Sequence, residues 1–163
     1  MKKQKPLTTY EEVKEKALRL LEFRAHSEFE LQTKLRRAEA SDENIEKTID
    51  FCRRYGFLND KVYAERKARD LIHLKKYGIH RVKSELKFKG ISDIIIDEIL
   101  SETDTDGEAE TLIGLVEKKL KNDFSQKNKD RCIRYFIYRG YSIYDIKNAL
   151  NTVQERSDYF DEA

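Results

Sequence analysis

Two stretches of this 163-residue chain concentrate the groups that could meet a polyanion. Between Arg66 and Lys89, nine basic residues (Arg66, Lys67, Arg69, Lys75, Lys76, Arg81, Lys83, Lys87 and Lys89) stand against only Asp70 and Glu85. Between Lys118 and Arg139, eight (Lys118, Lys119, Lys121, Lys127, Lys129, Arg131, Arg134 and Arg139) stand against Asp123 and Asp130. Cations at this density can neutralise phosphates and release their counterions. The interleaved Tyr77, Phe88, Tyr135 and Tyr138 offer π faces on which unpaired bases can stack. The plainer alternative is a solvated basic surface, since 39% of the residues are charged and the whole chain carries only +2.

Other chemistries have little to work with. Cys52 and Cys132 are 80 positions apart, and neither has a second cysteine or a histidine at zinc-finger spacing, so both read as small core residues. His26, His73 and His80 lack metal-ligand spacing. There is no phosphate-cradling glycine-rich loop, no Gly-x-Ser-x-Gly elbow and no His-Glu-x-x-His pair. Asn59-Asp60 stands where a helix must begin and reads as a cap. Glu30 and Glu85 read as cap or ion-pair partners, so no enzyme is expected and no cofactor.

The elements that must position the basic residues are helical. Pro6 is the only proline and there are only six glycines, which argues against a chain built on tight β turns. Ser41, Ser92 and Ser142 recur at intervals of 51 and 50 residues, each after Ala40, Ile91 or Tyr141. Four residues beyond each serine stands Ile45, Ile96 or Ile146, and eight beyond stands Ile49, Leu100 or Leu150, the spacing of a helix core face. Six residues before each serine stands Leu35, Leu86 or Phe136. A serine opening such a run is an N-cap. Gly90 and Gly140, two residues before their serines, read as left-handed ends of the preceding helices; the first copy has Glu39 there. Ser27 with Glu30 reads as a capping box, and Thr8 or Thr9 with Glu11 or Glu12 caps a longer helix before it.

The pattern predicts an all-α fold of three tandem three-helix repeats forming an elongated, curved array, with repeats over 8–55, 56–101 and 108–155. Helices are expected at 9–25, 28–38 and 42–55, then 60–76, 79–89 and 92–101, then 108–121, 127–139 and 143–155. Glu102 to Glu110, with Asp104, Asp106 and Glu108 between them and no base, is the expected hinge, and Glu155 to Ala163 is expected to fray. Met1 to Lys5 is basic, but Pro6 to Glu11 follows where a signal peptide would be apolar, so a cytoplasmic protein is expected.

Four motifs in order resemble the RecX family of bacterial recombination regulators. They are Arg24-Ala25-His26-Ser27-Glu28-Phe29-Glu30-Leu31 with Lys34-Leu35, then Gly56-Phe57-Leu58-Asn59-Asp60 through Ala64, then Lys76-Tyr77-Gly78 through Gly90-Ile91, and Arg139-Gly140-Tyr141-Ser142 with Ile146. Together they span about residues 13 to 153. The resemblance implies three three-helix repeats and a non-enzymatic activity: binding RecA recombinase filaments and DNA, and restraining filament growth, ATP hydrolysis and strand exchange. It implies RecA and DNA, single- and double-stranded, as partners; a monomer is expected because each repeat is too small to bury a core alone and must pack on its neighbour, and no membrane contact is expected because no apolar run approaches membrane-spanning length. Glu39 for glycine and the long polar connection at 122–129 depart from the family pattern.

Charge clustering selects Arg69, Lys75, Lys76, Arg81, Lys87, Lys89, Arg131, Arg134 and Arg139 as candidate RecA or DNA contacts. Two other readings stay open. Sharply crossing helix pairs with basic residues also suit a tandem helix-turn-helix-like DNA-binding transcription regulator, and a helical repeat can serve as a protein adaptor without nucleic acid.

Overall fold

The computed structural model describes residues 6–103 and 107–161, and every regular element among them is helical. The α-helices are α1 (Tyr10–Phe23), α2 (Glu28–Arg37), α3 (Asp42–Arg54), α4 (Asp60–Arg69), α5 (Ile79–Phe88), α6 (Asp93–Glu102), α7 (Glu108–Leu120), α8 (Gln126–Tyr138) and α9 (Ile143–Asp161). The all-α expectation therefore holds for the described residues. Asp104, Thr105 and Asp106 of the expected hinge, the basic start Met1 to Lys5, and Glu162 and Ala163 lie outside them.

Side-chain caps set the helix starts. Thr9 with Glu12 and Ser27 with Glu30 form reciprocal capping boxes, each satisfying donors that a first helical turn leaves orphaned. The three repeated serines do the expected work: the Oγ atoms of Ser41, Ser92 and Ser142 accept from the backbone N–H of Asn44 (3.3 Å), Ile95 (3.4 Å) and Asp145 (3.1 Å). Before each serine the chain makes one and the same turn. Glu39, Gly90 and Gly140 all have positive φ, at 60°, 76° and 93°. Their neighbours Ala40, Ile91 and Tyr141 donate back to Leu35, Leu86 and Phe136 at 3.1–3.2 Å, the bond that closes a helix through a left-handed residue. Glu39 thus adopts the glycine conformation without being glycine.

The chain forms two compact units, Met1–Ala68 with Leu86–Ile99, and Arg69–Glu85 with Leu100–Ala163. In the first, α1, α2 and α3 bury Val13, Ala17, Leu31, Leu35, Ile45, Ile49 and Cys52 around one core, with Leu58 closing it. In the second, α7, α8 and α9 bury Leu112, Val116, Leu120, Cys132, Phe136, Tyr141, Ile146 and Leu150, with α7 against α9 as the most extensive pairing. Both cysteines are buried free thiols, and burial pushes each thiol up, so they act as small apolar residues.

Two elements differ from the sequence expectation. The helix expected to run unbroken from 60 to 76 stops being α-helical at Arg69 and continues as a π-helical turn, Asp70–Leu74, before Lys76 takes a φ of 54°. A π turn inserts a residue into the helical register and is a common mark of a functional segment. Helix α9 continues to Asp161 instead of ending near 155, with Arg156 paired to Glu110 of α7 at 3.3 Å.

Candidate functional site

The nine candidate cations fall into two environments. In the first unit, Lys89 is not presented to solvent. Its ammonium lies 2.7 Å from Glu30, with side chains 23% and 12% exposed. Glu30 also accepts from Arg24 (3.3 Å), from the Tyr63 hydroxyl (3.2 Å) and from the Ser27 backbone N–H (3.3 Å). Burial pushes the Glu30 carboxyl up, but the bonds from Lys89, Arg24 and Ser27 outweigh it and hold the group down at about 2. Burial, reinforced by the Glu30 charge, pushes the Tyr63 phenol up to about 12, so it remains a donor.

Ser27 ties the same region together twice. Besides capping α2, its Oγ donates to the Lys89 carbonyl at 2.6 Å. Asp60 accepts from the Glu28 backbone N–H at 2.8 Å, so it caps α2, while Asn59 caps its own helix α4 through the Val62 N–H at 3.1 Å. Arg53 pairs with Glu28 and, at 2.7 Å, with Asp50. The Ser27, Glu30 and Asn59-Asp60 motif residues are thus the joints of this unit. Lys87, exposed on α5, pairs with Asp93 at 2.8 Å.

In the second unit the cations are gathered differently. The Arg81 guanidinium stands over the rings of Tyr138 (5.0 Å) and Tyr77 (5.5 Å). Arg139 stands over Tyr77 (4.9 Å) and Tyr135 (5.6 Å), and Lys119 over Tyr135 (4.0 Å). Among the described residues, Arg81 alone of these three has a carboxylate partner, Glu85 at 2.8 Å. An aromatic ring attracts a cation through its quadrupole without cancelling the charge, so this face stays positive where the joints of the first unit are neutralised.

Arg139 also fixes the turn after the π-helical segment. Its Nη2 donates to the carbonyls of Lys75 and Lys76, and the Tyr141 hydroxyl donates to the Lys76 carbonyl at 3.0 Å. The backbone completes the clasp: Gly78 N–H donates to the Arg139 carbonyl at 2.9 Å and His80 N–H to the Gly140 carbonyl at 3.2 Å. The opening of the third sequence motif, Lys76 to Arg81, and the fourth motif thereby form one structural feature. Burial pushes the Tyr141 phenol up to about 12, which keeps it a donor.

Arg69, Lys75, Lys76, Arg131 and Arg134 are exposed, and their side chains make no ion pair among the described residues. Arg131 and Arg134 sit three apart on α8, on one face. The selection from charge clustering passed over Lys118 and Lys119, which the structure places at the same face as Arg139. Their signal was the Lys-Lys pair inside the second basic block; that Lys76 comes to meet them depends on packing between segments 42 residues apart.

The same motifs and folds occur in known proteins. Residues 14–52 match the model of the first three-helix domain of RecX, and residues 59–100 that of the second. The regulatory protein RecX of Clostridioides difficile is 34% identical over 154 residues, covering 92% of this chain and 72% of that protein. The regulatory protein RecX of Vibrio campbellii is 34% identical over 144 residues, covering 87% and 92%. The chain belongs to the RecX family. The crystal structure of RecX from Lactobacillus salivarius superposes with a TM-score of 0.78 at 22% identity, covering 89% of this chain and 96% of the other, which extends the likeness to the fold. The two RecX domain models span α1 to α3 and α4 to α6, and no helix among the described residues is long and apolar enough to cross a membrane.

Proposed function

We propose that this RecX family member binds RecA recombinase filaments together with their DNA and restrains filament growth, ATP hydrolysis and strand exchange, acting without catalysis of its own. The observation that carries this reading is the likeness, over most of both chains, to proteins named regulatory protein RecX. The cationic face supports it physically, because cations left without carboxylates remain available to phosphates and to acidic side chains. In this reading α7, α8 and α9 are the third repeat, and the chain works as a cytoplasmic monomer without a cofactor.

The contacts divide by what each cation already holds. Arg69, Lys75, Lys76, Arg131 and Arg134 face outward and are the proposed contact residues. Arg81 and Arg139 add charge but also hold the turn, and Lys87 and Lys89 are engaged inside their own unit. Reversing Lys89 would set two carboxylates against each other, so it reports on folding before it reports on binding.

Arg131→Glu with Arg134→Glu is the informative pair. Helicity and melting temperature should stay unchanged, while inhibition of RecA-catalysed ATP hydrolysis weakens about tenfold or more. If the lost contacts are to DNA, the salt dependence of DNA binding also flattens, by about one unit of slope per contact. If they are to acidic RecA side chains, DNA binding is unchanged. Undiminished inhibition across salt concentrations would remove α8 from the interface. Sequence-dependent duplex binding without RecA would favour the transcription-regulator reading.

A further inference from the structure

One groove of the second unit is lined by four cations and no carboxylate. It has a volume of about 250 Å³, with Lys76, Lys118, Lys119 and Arg139 around it and Tyr135 in its wall. Lys119 and Arg139 stand over the same Tyr135 ring at 4.0 and 5.6 Å, closer to each other than the Debye length of about 10 Å at 0.1 M salt. Screening by salt therefore relieves their repulsion only in part. Arg139 is further held by the Lys75 and Lys76 carbonyls, so it cannot swing away without releasing the turn.

A cluster of like charges repels itself, and a cleft lined by one sign of charge concentrates ligands of the opposite sign, whose binding relieves that repulsion. The three lysines are mobile point charges that adapt to phosphate oxygens, and the guanidinium is preset to meet two oxygens at once. Four cations around a space of this size call for a ligand with several negative charges in a small volume. A nucleic-acid strand places a sugar between successive phosphates, each with a single charge, and so brings less charge into the groove than phosphates joined directly. Phosphates joined directly to one another match the cation density.

We propose that the groove of Lys76, Lys118, Lys119 and Arg139 is a binding site for a compact polyphosphate, the chemistry shared by the tail of a nucleoside triphosphate and by inorganic polyphosphate. This site is independent of the RecA reading: it needs neither filament nor DNA, and either can fail without the other.

The test is calorimetric titration of the full chain at low salt without divalent cations, using sodium tripolyphosphate, orthophosphate, ATP and a short oligo(dT) as probes. Tripolyphosphate should bind at least about tenfold more tightly than orthophosphate and should raise the melting temperature. Lys118→Gln with Lys119→Gln, both exposed and in no ion pair among the described residues, should fold normally and lose about tenfold or more of that affinity. ATP binding more tightly than tripolyphosphate identifies the nucleotide as the source, and ATP binding equally or more weakly identifies inorganic polyphosphate. The proposal is overturned if tripolyphosphate binds no better than orthophosphate, if the double variant binds it as well as the parent, or if oligo(dT) occupies the groove and tripolyphosphate does not displace it.

Discussion

Gly140→Val should unfold the second unit at a temperature about 10 °C below the parent. Two costs add at this position. A β-branched residue at a φ of 93° pays for a left-handed backbone, about 1–2 kcal/mol. Its Cβ would also overlap the backbone of α5, with the Arg81 Cα only 2.8 Å away, and such overpacking adds about 1–3 kcal/mol. Relief would require breaking the clasp between Gly78 and Arg139. A total near 3 to 4 kcal/mol corresponds to that shift for a chain of this size. Gly90→Val meets the same backbone cost at a φ of 76°, and its Cβ would collide with the Phe29 side chain, 2.5 Å from Cγ. Gly107, the N-cap of α7, has φ −100° and no described residue within 4 Å of where a Cβ would stand, so Gly107→Val should cost only about 1 kcal/mol or less, from the poorer cap. Thermal unfolding of the three variants side by side checks the order.

Glu30→Ala should destabilise the first unit by about 2–4 kcal/mol. It leaves the partly buried Lys89 ammonium, Arg24, the Tyr63 hydroxyl and the Ser27 N–H without their common acceptor. Lys89→Met should cost less, because Glu30 keeps its three other donors and only the hydrogen-bonded cation is lost. The carboxyl also sets a pH dependence. Its folded value of about 2 lies below the ordinary 4.5, so its contribution is complete above the ordinary value and disappears as the pH falls through about 2. Urea unfolding between pH 5 and 2.5 should therefore show the parent losing stability more steeply than Glu30→Gln.

The parts of this fold that were legible in the sequence are those fixed by local backbone needs. Ser27, Ser41, Ser92 and Ser142 announce helix starts because an uncapped first turn has orphaned donors, and Gly90 and Gly140 announce helix ends because few other residues take positive φ. Glu39 shows the limit of that reasoning: the repeat, not the residue type, reveals its conformation. The π-helical turn was hidden because Asp70 to Leu74 holds neither glycine nor proline, so nothing in its composition sets it apart from the α-helix before it.

The candidate site was legible only as a charge density. Lys89 and Arg139 look alike in sequence, each in a basic stretch beside a glycine. One is bound to a carboxylate 59 residues earlier, and the other to two tyrosine rings and two carbonyls. What separates a neutralised cation from an available one is its non-local partner, and no local spacing encodes that. For the same reason Lys118 and Lys119 gain their significance only when Lys76 and Arg139 arrive beside them.

The most direct measurement is a titration of the protein into RecA assembled on single-stranded DNA, following ATP hydrolysis. Hydrolysis should fall progressively as the protein is added, and Arg131→Glu with Arg134→Glu should move the curve to higher concentration. Unchanged hydrolysis at equimolar and higher protein, with helicity intact, would contradict the proposed function.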